Sequence, residues 1–471
     1  PPPPPKTLFP YTTLFRSGGI APAELVMMRG EKSRAARMAP PKCALYELDD
    51  WIYTQQAAEE RLTRHFSTAS LRGFGVDKLP LAVIAAGSLM FYLDATEHRQ
   101  VAHITSLSRI DEDRYVRLDP FTVRNLELLE PMAEGGKSLL DVLDRTCCAP
   151  GARMLRRRLV FPLARVKEIN ERLEMVQIFY DDEELCNHLG TILAEIGDPE
   201  RIASKIGALR VGPREMVRLL QALQAFDALR RLLQTLGREP LLKAADSIDP
   251  LTELTRRLRA TLNPDAPAML NQGNAIAEGV DAELDELRGL LTHSKEALAD
   301  IQRREAEATG IPSLKIGFNS VFGYYLEVRN TYRDKAPADW IRKQTLTGAE
   351  RYITPELKDY EQKIFGAQDR IDAIERRIFD ELVGVASRYI PAIRRNTEAA
   401  AELDCNLSAA LSALEGNYVR PTVDESMELD ITDGRHPVIE RMMPPGEIYV
   451  ANSVRLDTER QQIMVITGPN M

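Results

Sequence analysis

The chain has 471 residues, 44% of them hydrophobic and 28% charged, with a formal net charge of −9. That length is too great for one hydrophobic core and sets an expectation of about three domains, with the composition of an ordinary soluble globular protein. A net negative field repels nucleic acid, so any nucleic-acid site has to be a local cationic patch. Five cysteines (Cys43, Cys147, Cys148, Cys186, Cys405) form neither CxxC pairs nor Cys/His clusters, which points to a reduced, cytosolic chain and away from zinc.

In chain order, the first segment stands apart. "PPPPPKTLFPYTTLFRSGG" has no helical or strand period and no signal-peptide features. Residues 1–39 are expected to be disordered or a non-native leader. From 40 to 118 the pattern is mixed: "QQAAEERLTRHF" reads as a helix, and "LAVIAAG", "HITSLSRI" and "YVRLD" read as strands of a small, partial α/β module. The stretch "LPLAVIAAGSLMFYL" at 79–93 is too short to span a bilayer and reads as a buried strand and helix.

Beyond Pro120 the chain is expected to be almost wholly helical. "SLLDVLDRT", "INERLEMVQIFYDD" and "PREMVRLLQALQAFDALRRLLQTLG" place apolar residues three and four apart, with Gly and Pro between them. Two later helices have narrow apolar stripes at heptad spacing. One carries Leu284, Leu287, Leu291, Ser294, Leu298 and Ile301; the other carries Leu357, Tyr360, Ile364, Ala367, Ile371, Ile374 and Ile378. Gly310 suits the end of the first, and Thr354 with Pro355 the start of the second. They are expected to pair antiparallel as an arm, holding out whatever joins them by roughly 40 Å.

The joining segment is not helical. "LKIGF" and "VFGYYLEV" alternate with period two and read as strands joined by a turn at Asn319 and Ser320. Between Ile311 and Tyr352 there are seven Lys or Arg against four acids, a net of +3 within an acidic chain. Such a module suits sequence-independent phosphate contact. By composition alone, a solvated cap closing the two helices is the favoured reading, because an excess of +3 is modest. At the far end, "IMVITG" reads as a strand reaching a glycine, as a phosphate-cradling loop requires. Tyr449 offers a flat surface for a base and Asn452 a polar contact, although taken alone both read more readily as simple strand-end residues. "GRHP" reads as a structural turn, and "RMLRRRL" as a solvated or salt-bridged helix face.

"IPSLKIGFNSVFGYYLEV" followed by "RKQTLTGAERYITPELKDYE" closely resembles the clamp region of the MutS family of bacterial DNA mismatch repair proteins. "RNLELLE", "LLDVLDRT", "GARMLRRRLVFPL", "GDPERIASKI", "DAELDELR", "NYVRP", "GRHPVIE" and "ITGPNM" follow the family in collinear order, so the resemblance covers roughly 45–471. One departure is "TCCAPGAR", where the family usually has Thr and Met before the Gly.

The resemblance implies a mainly α multidomain fold: a helical core with long antiparallel lever helices carrying a small β clamp, a partial α/β connector in front, and the first strands of a P-loop ABC-type ATPase domain at the end. The implied parts are a connector at 40–118, helical core at 119–280, lever helix at 281–310, clamp at 311–353, second lever and return to the core at 354–425, and ATPase start at 426–471. A mismatch-reading domain is expected to lie outside this chain, and "GPNM" to be the first half of a phosphate loop whose Lys and Ser/Thr would follow.

For DNA, Lys315, Asn319, Ser320, Arg329, Arg342, Lys343 and Arg351 are the expected contacts. For nucleotide, the resemblance puts Tyr449 at the adenine-stacking position, Asn452 nearby, and Gly468, Pro469, Asn470 and Met471 in the loop. Intact members are DNA-dependent ATPases using ATP/ADP with Mg²⁺; this chain, lacking the loop Lys, Ser/Thr and Mg²⁺-binding acid, is expected to be inactive alone. Implied partners are duplex DNA, a second copy of the protein and a MutL-type repair protein, in the cytoplasm on the nucleoid. Relatives without mismatch duty, of recombination or meiotic type, and a structural coiled-coil scaffold are the alternatives.

Overall fold

The computed structural model describes residues 24–39, 43–66, 68–74, 76, 78–96, 101, 104, 107, 114–319, 323–444 and 446–466, the side chains at 38, 293–295, 363 and 365 apart. The chain divides into two compact units. The first comprises Pro1–Arg210, Gln221–Leu251 and Tyr389–Met471, the second Val211–Leu220 and Thr252–Arg388. Among the described residues no helix is long and apolar enough to cross a membrane.

The first unit begins with strand β1 (Glu24–Met28), helix α1 (Lys32–Met38) and strand β2 (Ala44–Leu48), β1 pairing parallel with β2. This corrects the expectation of a structureless leader through residue 39. A five-residue strand has no recognisable period by itself, and its stability comes from a partner twenty residues downstream and from burying Met27 and Leu48. Residues 1–23 lie outside the described residues.

Helix α2 (Gln55–His65) starts at Thr54, whose hydroxyl accepts from the Ala57 backbone N–H. Helix α3 (Pro80–Ala95) takes up the whole of "LAVIAAG", which is not a strand. A run that is apolar on every side cannot be assigned to strand or helix by periodicity. Packing decides here: a Cβ on Gly87 would lie 2.5 Å from Ala58, so the glycine lets α3 lie directly against α2. "YVRLD" is likewise not a strand; Tyr115 makes an isolated bridge to Leu163. "HITSLSRI" lies outside the described residues except Ile104 and Leu107.

The helical part follows as α4 (Pro120–Asn125), α5 (Leu139–Leu143), α6 (Ala149–Val160), α7 (Val166–Tyr180), α8 (Glu183–Ile196), α9 (Pro199–Gly207), α10 (Pro213–Leu236) and α11 (Glu239–Asp246). Ser138 and Asp141 form a capping box on α5; Asp119, Asp182 and Asp198 cap α4, α8 and α9. "RMLRRRL" is an inter-helix salt-bridge face: Arg153 pairs with Asp198 and Glu200, and Arg158 with Glu402.

The second unit holds α12 (Thr252–Thr261), α13 (Ala282–Thr309), β3 (Lys315–Asn319), β4 (Gly323–Arg329), β5 (Ile341–Thr345), β6 (Ala349–Ile353) and α14 (Pro355–Ser387). The caps read from the sequence are present: Gly310 is left-handed at φ +60°, and the Thr354 hydroxyl accepts from Leu357 N–H. Helices α13 and α14 run antiparallel, with Asp281 paired to Arg377, Glu283 to Arg370 and Glu356 to Arg304. At 1.5 Å per residue the 28 residues of α13 span about 42 Å. Leu284, Ile301, Leu357, Ala367, Ile371, Ile374 and Ile378 are buried on the expected stripe. The buried Glu375 accepts from Asn274 N–H at 2.9 Å and from the Arg288 guanidinium, which ties the preceding loop to the pair.

Returning to the first unit, α15 (Ile390–Gly416) runs through its core with a polar stripe. Asn396 makes two hydrogen bonds with the Asp249 backbone, and Ser408 accepts from Arg145 N–H while donating to the Leu143 carbonyl. Asp404 accepts from the N–H groups of Cys147 and Cys148 at 2.8 and 3.0 Å. Its carboxylate fills the space a Cβ on Gly151 would occupy, which explains the glycine in "TCCAPGAR". Strand β7 (Leu429–Gly434), helix α16 (Pro437–Met442) and strand β8 (Asn452–Leu456) follow, β7 and β8 antiparallel.

Candidate nucleic-acid interface

The four strands of the second unit form one antiparallel sheet in the order β3-β4-β6-β5. Alternation gives it two unlike faces. Leu326, Val328 and Tyr352 turn inward with Ile311, Leu314, Trp340 and Leu357 to make a closed apolar core. The opposite face carries the register row Lys315, Glu327, Arg351 and Gln344. Two positions require glycine. A Cβ on Gly317 would strike the Tyr325 ring, and Gly323, at φ +79°, leaves space that the Glu361 carboxylate fills.

The sequence-derived DNA contacts separate on this frame. Lys315 stands exposed on edge strand β3, Arg329 exposed at the end of β4, and neither has an ion pair among the described residues. Lys343 stands at a register shift in β5, between Arg342 paired with Tyr352 and Gln344 paired with Arg351. Such an extra residue re-aims the local side chains, and Lys343 is exposed. Arg342 is half exposed and holds Glu350 at 3.2 Å. Arg351 is committed to the sheet: its guanidinium meets Glu327 at 3.2 Å, donates to Gln344 at 2.9 Å and lies 4.3 Å over the Tyr325 ring. Asn319 ends β3 opposite Gly323, and Ser320 lies outside the described residues.

Sequence reasoning missed Arg333 and Glu350. Glu350 is buried and receives Arg333 at 3.5 Å, Arg342 at 3.2 Å and the Tyr352 hydroxyl. Hydrogen bonding from Tyr352, then the two guanidinium charges, holds its carboxyl below the usual range. The available signal was its place on β6: residue 350 has the parity of Tyr352, the core-facing side of the strand.

Of the residues expected to bind nucleotide, Tyr449 and Asn452 are among the described ones. Tyr449 is half-buried, and Asn452 opens β8 with its amide donating to the Val450 carbonyl at 3.2 Å. Ile463 to Ile466, expected as a strand, form none; Ile463, Val465 and Ile466 are each more than 80% exposed. An apolar run becomes a strand only with a partner ladder, and none is paired to it among the described residues. Gly468, Pro469, Asn470 and Met471 lie outside the described residues. His436 caps α16 by accepting from Ile439 N–H, the turn role expected for "GRHP". Burial raises the thiols, Cys147 to about 11 and Cys405 to about 12, so neither is a ready nucleophile.

Together these features define a class: a helical protein in which a long antiparallel helix pair carries a small β module with cations along its edges. The model of MutS domain III matches residues 121–410, and that of MutS domain II residues 19–105, the latter reaching into the segment expected as a leader. The chain belongs to the MutS family. It is 51% identical over 452 residues to the DNA mismatch repair protein MutS of Parabacteroides distasonis, covering 96% of this chain and 52% of that protein. It is 49% identical to the namesake in Phocaeicola vulgatus, with the same coverage, and 48% identical over 450 residues to that of Porphyromonas gingivalis, covering 96% of this chain and 50% of the relative. The chain thus spans about half the length of the curated relatives it matches.

Proposed function

We propose that this chain serves DNA mismatch repair as the part that grips duplex DNA through its phosphate backbone, independently of sequence. The names of its relatives support the process. The observation that carries the grip is the state of the β module: its core is closed by apolar residues, while Lys315, Arg329 and Lys343 stand exposed without ion pairs among the described residues. Folding does not account for those cations, and a solvated cap has no use for their excess in a chain of net −9.

On this reading 311–353 is the clamp, and 281–310 with the helix from 354 are levers joining it to a core at 119–280. The front module is a connector, and 426–471 opens an ATPase domain. A stiff antiparallel pair transmits a rigid displacement that a loop would dissipate. In the longer proteins of the family a second copy, a MutL-type protein and Mg²⁺-nucleotide are the proposed partners, in the cytoplasm on the nucleoid.

The test is an anisotropy titration of the chain with matched and mispaired duplexes at two salt concentrations. Affinity should fall as salt rises, and the double variant Arg342→Glu, Lys343→Glu should lose about tenfold or more on both duplexes alike. Binding indifferent to salt would support the coiled-coil scaffold instead. Loss confined to the mispaired duplex would refute backbone readout.

A further inference from the structure

Glu350 sits oddly for an acid: it lies almost wholly buried, 2% exposed, under the cationic edge of the module. A buried carboxylate is costly unless its oxygens are matched by donors. Here one oxygen takes both Arg333, from the 3-10 turn Asn330–Lys335, and Arg342, from β5, while the other takes the Tyr352 hydroxyl. Yet the two arginine side chains remain 59% and 52% exposed. A guanidinium has five N–H donors in a rigid plane, and each arginine directs only part of its fork at Glu350. Among the described residues neither arginine has another charged partner, and the three ionised groups sum to +1.

We infer that Glu350 is a positioning residue that sets Arg333 and Arg342 as a two-pronged receptor for a DNA phosphodiester, with Arg333 itself a phosphate contact. The buried carboxylate draws in Arg342 through a hydrogen bond at 3.2 Å and Arg333 through an ion pair at 3.5 Å, which narrows the rotamers of both before the phosphate arrives. Planar, paired guanidiniums are the donor geometry that phosphate oxygens favour. The shared anchor also fixes the spacing between the turn and β5, which otherwise depends on two long flexible side chains. Trp340, with its ring 5.8 Å from Tyr352, packs beside the anchor and reports on its integrity. This inference rests on the duplex-grip reading above.

The decisive variant is Glu350→Gln in the whole chain, titrated with a matched duplex. It raises the net charge by one, so overall electrostatics alone demands tighter binding; loss of positioning demands weaker binding, by about threefold or more. Arg333→Gln and Arg342→Gln should each weaken binding roughly threefold and lower the slope of log K against log salt by about 0.9, the change expected when one phosphate is no longer neutralised. Arg333→Lys should recover the slope without recovering the affinity, because the charge returns without the fork.

Binding by Glu350→Gln as tight as, or tighter than, that of the unaltered chain overturns the inference. So does an unchanged affinity and slope for Arg333→Gln. If Trp340 emission shows that Glu350→Gln opens the core, the decision passes to Arg333→Gln, whose side chain is mostly in solvent. Absence of salt-dependent binding by the unaltered chain overturns both readings. Weakened binding with Arg342→Glu, Lys343→Glu but not with Glu350→Gln or Arg333→Gln overturns this one alone.

Discussion

The sheet β3-β4-β6-β5 and the ladder β7-β8 are built from similar material and end in opposite states. Both are antiparallel, both contain a register shift, and all of their strands are five to seven residues long. In the first, Leu326 and Val328 are completely buried. In the second, Leu429 and Ile431 are exposed, and the elements around it are tied by polar contacts. Arg455 pairs with Glu428, Arg435 with Glu440 and the carbonyls of Gly416 and Asn417, and Glu415 with both Arg145 and Arg441. Backbone pairing is therefore available to any short alternating segment, whereas a core depends on what the other face meets.

That contrast can be broken most severely at Leu326. Leu326→Ala should cost the clamp about 2–5 kcal/mol, read as early unfolding in urea by Trp340 fluorescence, while Ile431→Ala should stay within about 0.5 kcal/mol. Equal effects would mean that the two sheets are not differently stabilised. Next comes Gly323→Ala, which places a side chain at positive φ and against the Glu361 carboxylate; a loss of about 1–3 kcal/mol in the same assay is expected.

The smallest effect sharpens the polar side of the comparison. Hydrogen bonds from Arg145, joined by Arg441, draw the Glu415 carboxyl down from 4.5 to about 2. Its folded pKa is depressed, so its contribution is complete above pH 4.5 and is lost as pH falls toward 2. Because the side chain is nearly half exposed, screening limits this to under about 1 kcal/mol. Glu415→Gln should flatten the decline in melting temperature across that window, and added salt should mimic the variant above it.

Much of this architecture was legible in advance. The heptad stripes of α13 and α14, the Gly310 and Thr354 caps, β3, β4 and the cation excess between them follow from spacing and residue type. The misreadings share one cause. "LAVIAAG" became helix because Gly87 meets Ala58, β1 exists because β2 pairs with it, and "IMVI" is no strand because no ladder is paired to it among the described residues. Among the site residues, Lys315, Arg329 and Lys343 keep the exposure their chemistry suggested. Arg351 had the same chemistry and is drawn into the sheet by Glu327 and Gln344.

The sequence by itself determined the helical character beyond Pro120, the facing ends of the arm-like pair at Gly310 and Thr354, and the presence of a cationic β segment between them. These depend on local dihedral preference, on capping groups within one turn and on periodicity along one element. Only the tertiary structure decided which cations are available to a ligand and which are held by the fold. That choice turns on acids such as Glu350 and Glu327, which strand pairing brings beside Arg342 and Arg351, and on the steep dependence of charge interactions on distance and burial.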